Sequence, residues 1–372
     1  MKKIDIAAYV WPAYTGDEPR SRIFWPEGIG EWQTVKNSSE KSNGYHWNRK
    51  PLWGYVNEAD PYVMSGQIEA AVSHGVNVFI YDWYWYDNRP FLENCLNDGF
   101  LKAPNNNKMK FYIMWANHDA THLWDIRNSD SVRSTIWQGA VTREQFEIIG
   151  KRWIEQYFKR ENYYRIDGKP VISIYDINNL INGLGGIAET VDALQWLNKE
   201  AQKEGLDGVH LQFIRWNGEI RNHSGVDGKP IENESALVNT LGFSSVTNYQ
   251  FVHMTDVNRD YLDVLEDVKK LWREMKDEYS VSYFPNVSVG WDNNPRFKNY
   301  ITPIITNNTP ENFKKCLEYA KEYCEQAGVH LITVNSWNEW TETSYLEPDD
   351  FYGYGYLEAI KEVFGKNNKK FL

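Results

Sequence analysis

The chain has 372 residues and no apolar run approaching the roughly 20 residues that a membrane-spanning helix requires. Its three cysteines, Cys95, Cys316 and Cys324, are odd in number and lack CxxC spacing, so neither a disulfide framework nor a metal site is expected. Basic residues form no stripe. The net charge of −11 opposes a nucleic-acid partner, whose phosphates must be met by concentrated Lys and Arg. No Gly-rich phosphate turn follows an early strand, and no G-x-S-x-G elbow occurs. Together these absences set aside a membrane protein, a nucleic-acid binder, a nucleotide-cofactor enzyme and a Ser-His-Asp hydrolase, and no cofactor is expected. The first residues are basic, but Asp5 follows and no h-region does, so the N-terminus reads as a strand. The chain as given is expected to be cytoplasmic, or periplasmic or secreted if a signal has been removed. Its oligomeric state has no signature in the sequence.

What is abundant is aromatic: 17 Trp, 24 Tyr and 16 Phe. Many sit beside Asn, Asp or Gly rather than inside apolar runs, which suits an open, aromatic-lined cleft better than a core alone. The acidic balance fits a neutral partner, and aromatic faces offer flat apolar surface for sugar rings to stack on, so the partner expected is an oligosaccharide or polysaccharide.

Short β-rich apolar runs alternate with longer amphipathic ones. The expected strands are Ile4–Val10, Val76–Tyr81, Lys110–Trp115, Pro170–Tyr175, Gly208–Ile214, Phe243–Thr247, Tyr283–Val289 and His330–Asn335. The expected helices are Tyr62–Ser73, Phe91–Leu101, Arg143–Phe158, Ile187–Lys203, a piece near Glu232–Asn239, Arg259–Lys276, Glu311–Gln326 and Gly355–Phe364. Asp60-Pro61 and Thr309-Pro310-Glu311 are helix starts, and His74-Gly75 is a stop. The strands are near-continuous apolar runs, as a sheet covered on both faces requires. Repeated strand–helix units in one chain of this length predict a (β/α)8 TIM barrel, residues 1–372 forming a single domain with long loops at the C-terminal face. The loop from Trp11 to Asp60 is the longest of them. Gly183–Gly186 and Gly225–Gly228 are expected to be turns.

In such a barrel the residues just past each strand face the active site. They are Trp11 and Tyr14; Asp82, Trp83, Tyr84 and Trp85; Trp115, Asn117 and His118; Tyr175 and Asp176; Arg215 and Trp216; Asn248, Tyr249 and Gln250; Trp291, Asp292 and Asn293; Asn338, Glu339 and Glu342. Indoles and phenols cover sugar faces, while amides and carboxylates bind hydroxyls. The residues expected to bind substrate are Tyr14, Tyr84, Trp115, Asn117, His118, Trp216, Tyr249, Trp291, Asp292 and Asn338. His118 and His122, with Asp119 and Asp125 nearby, have i,i+4 spacing but no third ligand, so hydroxyl binding or loop packing is the better reading.

The last strand leads into Trp337-Asn-Glu-Trp-Thr-Glu342. Glutamates three apart are most often a solvated helix face. These follow a buried strand and lie among tryptophans, the setting expected of a pair of acids that cleaves glycosidic bonds. Glu347 is expected either to cap or to tether the final loop.

Asn335–Asp349 together with Tyr352–Ala359 resembles the C-terminal signature of the WbsX-like proteins, which are related to glycoside hydrolase family 99, the endo-α-mannosidases and endo-α-mannanases. Trp115-Ala-Asn117, Gly290–Arg296, Gly30–Val35 and Tyr84-Trp85 extend the resemblance along the chain. It implies a (β/α)8 barrel in which Glu339 and Glu342 are the catalytic carboxylates of a retaining hydrolase. Glu339 would be the base on the sugar's own 2-hydroxyl, giving a 1,2-anhydro intermediate, and Glu342 the acid and then base. Such a route implies an α-linked manno- or rhamno-configured substrate. His118 stands where the WbsX-like pattern commonly has Glu, a change in the substrate contacts. The family also carries a glycosyltransferase label, so transfer in surface-polysaccharide synthesis is the second reading, and a non-catalytic carbohydrate-binding barrel the third.

Overall fold

The computed structural model describes residues 3–365 apart from 17, 39, 126, 128–133, 217–224 and 226–229. The expected turn at Gly225–Gly228 therefore lies, beyond Gly225, outside the described residues.

One sheet organises the chain. Its parallel segments run in the order Ser282–Tyr283, Ser245–Asn248, His210–Arg215, Lys169–Ile174, Lys110–Trp115, Val78–Tyr86, Asp5–Val10, Leu331–Asn335 and Asn286–Ser288. The sheet is rolled. Thr247 and Thr333, far apart in that order, place their hydroxyls 3.0 Å from each other, and the Tyr9 hydroxyl donates to the Asn248 carbonyl at 3.2 Å. The rolled interior is polar and closely paired. Gln212 Oε1 accepts from Ser173 at 2.7 Å and from Tyr112 at 3.1 Å, which satisfies groups that would be costly to bury alone.

The long helices sit outside, with an apolar stripe turned inward. Pro310–Ala327 buries Phe313, Cys316, Leu317, Ala320 and Cys324, the i, i+3, i+4 rhythm of a covered face. Its start is set by Thr309, whose hydroxyl accepts from Asn312 N, and Asp60 caps Pro61–Ser73 through Tyr62 N in the same way. Ile187–Lys203 and Gly355–Phe364 have the limits expected of them. Gly185, left-handed, ends Ile177–Leu184 and turns the chain into the next helix.

The helix Ile177–Leu184 is an addition to the expected set and takes in Gly183, so that only Gly185 and Gly186 form the expected turn, and three expected elements differ. The second strand continues past Tyr81 to Tyr86 and folds back on Arg89–Phe91, because its aromatic continuation Asp82–Tyr86 keeps the two-residue alternation of a strand. The helix expected over Phe91–Leu101 is instead a strand end followed by short turns at Cys95–Gly99 and Phe100–Lys102. Leu92 adopts a positive φ of 57° there, which a regular helix cannot contain. The strand expected over Tyr283–Val289 is interrupted after Tyr283, since Pro285 has no N–H for the ladder. Among the described residues no helix is long and apolar enough to cross a membrane.

Candidate active site

A cavity of about 300 Å³ opens at the C-terminal ends of the strands. Its floor is set by the segment after Leu331–Asn335. Asn338–Glu339 pairs antiparallel with Ser344–Tyr345, and Trp340–Glu342 forms the 3-10 turn between them. Residues three apart eclipse on such a turn, so Glu339 and Glu342 present their carboxyls on one side.

Both carboxyls meet one buried cation. Arg296 Nη1 donates to Glu342 Oε1 at 2.6 Å, and Nη2 donates to Glu339 Oε2 at 3.2 Å. The same guanidinium holds Glu31, with Nε to Oε1 at 3.0 Å, and Trp11 Nε1 donates to the other Glu31 oxygen at 2.5 Å. Glu31 reaches this position because Gly30 lets the long first loop fold tightly onto the first strand. A Cβ at Gly30 would stand 1.8 Å from the Ala13 carbonyl oxygen, and its φ of +59° suits glycine. Tyr249 links one further acid, Asp82, to Glu339: its hydroxyl stands 3.0 Å from Asp82 Oδ2 and 3.1 Å from Glu339 Oε1. Among the described residues, Glu342 Oε2 and Asp82 Oδ1 are buried oxygens without a hydrogen-bond partner, and both residues line the cavity.

Four acids around one cation cannot all ionise cheaply. Burial pushes Glu339 well above the usual carboxylate range, and the charge of Glu342 adds to this while Arg296 works against it. Glu342 is also raised by burial, with Arg296 opposing. Asp82 is raised well above its ordinary value by burial, with the Tyr249 hydrogen bond opposing. Burial opposes the charge of Arg296, yet Glu31, Glu342 and Glu339 outweigh it and hold the guanidinium firmly protonated. The proton affinities of these carboxyls are therefore raised together, the direction that acid–base work near neutral pH requires.

The walls are aromatic. Trp11, Tyr84, Trp124, Tyr175, Trp216 and Trp291 line the cavity with His118 and His253. Tyr175 and Trp216 stack at 5.2 Å with an interplanar angle of 10°. Burial lowers the His118 ring's affinity for a proton, and its Nδ1 donates to the Asp119 carbonyl at 3.0 Å. A second cavity of about 310 Å³ lies beyond Trp291 and is lined by Tyr45, Trp47, Arg49, Asp292 and Phe351 among others.

Of the residues expected at the site, the structure brings together Glu339, Glu342, Tyr84, His118, Trp216, Tyr249 and Trp291 on the first cavity. Tyr14, Trp115, Asn117, Asp292 and Asn338 are not on its lining. Trp115 points outward and packs on Trp153 and Phe146, since its neighbour Ala116 takes the inward position. Tyr14 lies against Trp32 and accepts from Trp340 N, and Asn338 bonds the backbone of Trp11 and the carboxyl of Glu58. Asp292 faces the second cavity, bonded to Tyr45 and Asn294. Trp337 and Trp340 are fully buried, so they hold the Glu339 segment from behind and offer no face to a ligand. Asp119 and Asp125 are occupied by Gly139 N and Arg127, and no group of three or more possible metal ligands occurs among the described residues.

Asn117 is a cross-tie. Its side chain accepts from Asp176 N at 2.7 Å and donates to Asp176 O at 2.7 Å. Truncation in Asn117→Ala leaves those half-buried backbone groups without their partner and is expected to lower stability by about 1 kcal/mol. Denaturant unfolding alongside glycan titration checks this, and affinity lost without stability would return Asn117 to the binding wall.

Arg296, Glu31, Trp124 and His253 were not anticipated. Arg296 and Glu31 do lie in the Gly290–Arg296 and Gly30–Val35 segments, but nothing periodic marks them. The one available signal was an Arg standing alone among Asn and Pro after a strand.

A family model described as "Glycosyltransferase WbsX" matches residues 6–360. Protein WxcX of Xanthomonas campestris pv. campestris is 25% identical over 353 residues, 93% of this chain and 47% of that protein, so the chain spans about half the length of the curated relatives it matches. Among solved structures, the GH99 endo-alpha-mannosidase from Bacteroides thetaiotaomicron superposes with a TM-score of 0.62 at 14% identity, covering 97% of this chain and 96% of that one. A second, described as a glycoside hydrolase-like protein, gives 0.59 at 13% identity over 98% and 94%. At such identities the likeness is one of fold, that of barrel-type glycoside hydrolases.

Proposed function

The chain belongs to the WbsX family, and on that premise we propose that it is a retaining glycoside hydrolase acting on an α-linked manno- or rhamno-configured glycan. The observation that carries the reading is the pair Glu339 and Glu342 on one guanidinium, with a buried, unpartnered Glu342 oxygen at an aromatic-walled cavity. One guanidinium bridging both carboxyls keeps them close enough to act on the same sugar ring. We further read Ser282–Tyr283 and Asn286–Ser288 as halves of one strand broken at Phe284-Pro285, which makes the sheet a (β/α)8 barrel and the chain one domain.

In the first step Glu339 takes the proton of the sugar 2-hydroxyl as that oxygen attacks the anomeric carbon. Glu342 gives its proton to the leaving oxygen, and the glycosidic bond breaks. In the second step Glu342, now ionised, takes a proton from water while the water oxygen attacks the anomeric carbon. The 1,2-anhydro bond opens, and Glu339 returns its proton to the 2-oxygen. Burial and the charge of Glu342 raise Glu339 well above the carboxylate range, so its role as base rests on geometry against that rise: Arg296 and the Tyr249 hydroxyl stand at its two oxygens and favour the ionised form. Glu342 keeps one oxygen free, as the acid requires. Arg296 stays charged throughout and offsets the charge of whichever carboxyl is ionised.

The test is hydrolysis of aryl α-mannosides, α-rhamnosides and α-mannan fragments, with NMR of the first-formed anomer. A retained anomer is expected. An inverted anomer rules out the 1,2-anhydro route, and turnover confined to nucleotide-sugar donors moves the chain to the transferase reading that the family's name suggests. Trp216→Ala is expected to raise KM about tenfold with kcat little changed, the loss of one stacking face. A fall in kcat alone would show that Trp216 does not stack on the ground-state sugar.

A further inference from the structure

Behind the cavity floor lies a second pair of carboxyls that the proposed chemistry does not use. Glu58 and Glu347 are 0% and 3% exposed. Gln67 Nε2 donates to both, at 3.1 Å to Glu58 and 2.8 Å to Glu347, so one amide nitrogen brings the two carboxyls together. Glu58 also accepts from Asn338 Nδ2 at 3.2 and 3.0 Å and from the Cys95 thiol at 3.7 Å. Glu347 accepts from Trp340 Nε1 at 2.6 Å. Asn338 and Trp340 are the residues on either side of Glu339. The fit around Glu58 is close: a Cβ at Gly99 would stand 2.0 Å from the Glu58 carbonyl oxygen.

We propose that Glu58 and Glu347 share a single proton and act as positioning residues, gripping Asn338 and Trp340 so that Glu339 is held at the cavity. The consequence for catalysis rests on the hydrolase reading; the shared proton does not. Two carboxyls held on one neutral amide donor and shut away from water repel strongly if both are ionised, and a proton between them removes that repulsion. The side chains bonded to the pair are Gln67, Asn338, Cys95 and Trp340, and none brings a positive charge. Burial pushes Glu58 up to about 7, its hydrogen bonds to Gln67, Asn338, Cys95 and Glu347 opposing, and raises Glu347 well above the carboxylate range, with Glu58 adding to the rise. The neighbouring titratable groups are the Cys95 thiol and the Tyr14 and Tyr81 phenols, all raised well above their ordinary values by burial. The pair is therefore the unit that loses protons in this region near neutral pH, and it does so as a coupled pair.

The sign follows from linkage. A carboxyl whose folded pKa exceeds its unfolded one contributes stability below the unfolded value, near 4.3, and that stability is lost as pH rises through the folded value. Glu347→Gln keeps the shape and a donor for Glu58 but removes the second ionisation. Thermal unfolding of wild type and Glu347→Gln from about pH 6 to about pH 9 should show the variant gaining on the wild type as pH rises. On any glycoside that is hydrolysed, the alkaline limb of kcat should move upward in the variant while KM stays unchanged. Glu347→Leu, with no donor, should lower kcat at every pH. A stability difference between wild type and Glu347→Gln that is flat with pH overturns the shared proton. Equal behaviour of the Gln and Leu variants reduces Glu347 to packing. If Glu347→Gln does not fold, Glu58→Gln replaces it, with the same sign expected. Because unfolding needs no substrate, a pH-dependent difference in a chain that hydrolyses nothing keeps the shared proton and removes the hydrolase reading.

Discussion

Glu342→Gln is expected to lower glycoside hydrolysis by about a hundred- to ten-thousand-fold, the usual contribution of a positioned acid–base group, while affinity for the glycan changes little. The amide keeps the size of the side chain and can still meet Arg296, but it cannot deliver a proton to a leaving oxygen. Its effect should depend on the leaving group. An aryl glycoside whose phenolate departs without protonation should lose much less in the first step than a natural glycan does. Single-turnover rates on both substrates, with isothermal titration for affinity, separate chemistry from binding. An equal loss on both substrates would deny Glu342 the role of acid. Near-normal turnover on the natural glycan would remove it from the chemistry altogether.

Removing the cation should have the second large effect. Arg296→Met leaves Glu31, Glu339 and Glu342 buried without their common partner, and breaking a buried ion pair from one side typically costs about 3–5 kcal/mol. The loss should depend on pH with a definite sign. Burial already raises Glu339 and Glu342, and Arg296 is what opposes that rise. Without it the folded carboxyls bind protons more tightly still, so the variant's deficit should be large near pH 8. It should shrink as pH falls toward the ordinary carboxylate value of about 4.3, where protonated carboxyls need no cation. Denaturant unfolding at both pH values tests this, and an equal deficit at each would mean that Arg296 contributes shape and not charge. Arg296→Lys is not expected to rescue fully, because one ammonium cannot span three carboxylates as the guanidinium does.

The strand–helix alternation was legible because each element carries its own period and its own end signals. Asp60-Pro61 and Thr309-Pro310 mark helix starts by chemistry confined to a few residues, and the structure places those caps as expected. The Glu339 and Glu342 pair was legible for the same local reason, a buried strand ending abruptly in acids. Errors arose where an element continued under a change of residue type. Asp82–Tyr86 reads as loop because it is polar and aromatic, but its alternation holds: Asp82 and Tyr84 line the cavity while Trp83 packs outward on Trp153. Trp115, Asn117 and Asn338 are of the residue types that bind sugars and stand at strand ends. The direction of one side chain, however, is set by register against neighbouring strands, which composition does not carry.

The sequence by itself determined the order of strands and helices, the segment that carries the paired glutamates and the family to which the chain belongs. All of these are written in runs of neighbouring residues. Only the tertiary structure decided that Arg296, Glu31, Glu339 and Glu342 share one buried site, that Tyr249 joins Asp82 to Glu339, and that Gln67 joins Glu58 to Glu347 beneath them. These partners lie far apart along the chain and meet because the sheet rolls up and the long first loop folds over its C-terminal end. Charges buried at such a meeting point interact strongly through a medium that screens them poorly, so their proton affinities belong to the folded cluster and not to any one residue.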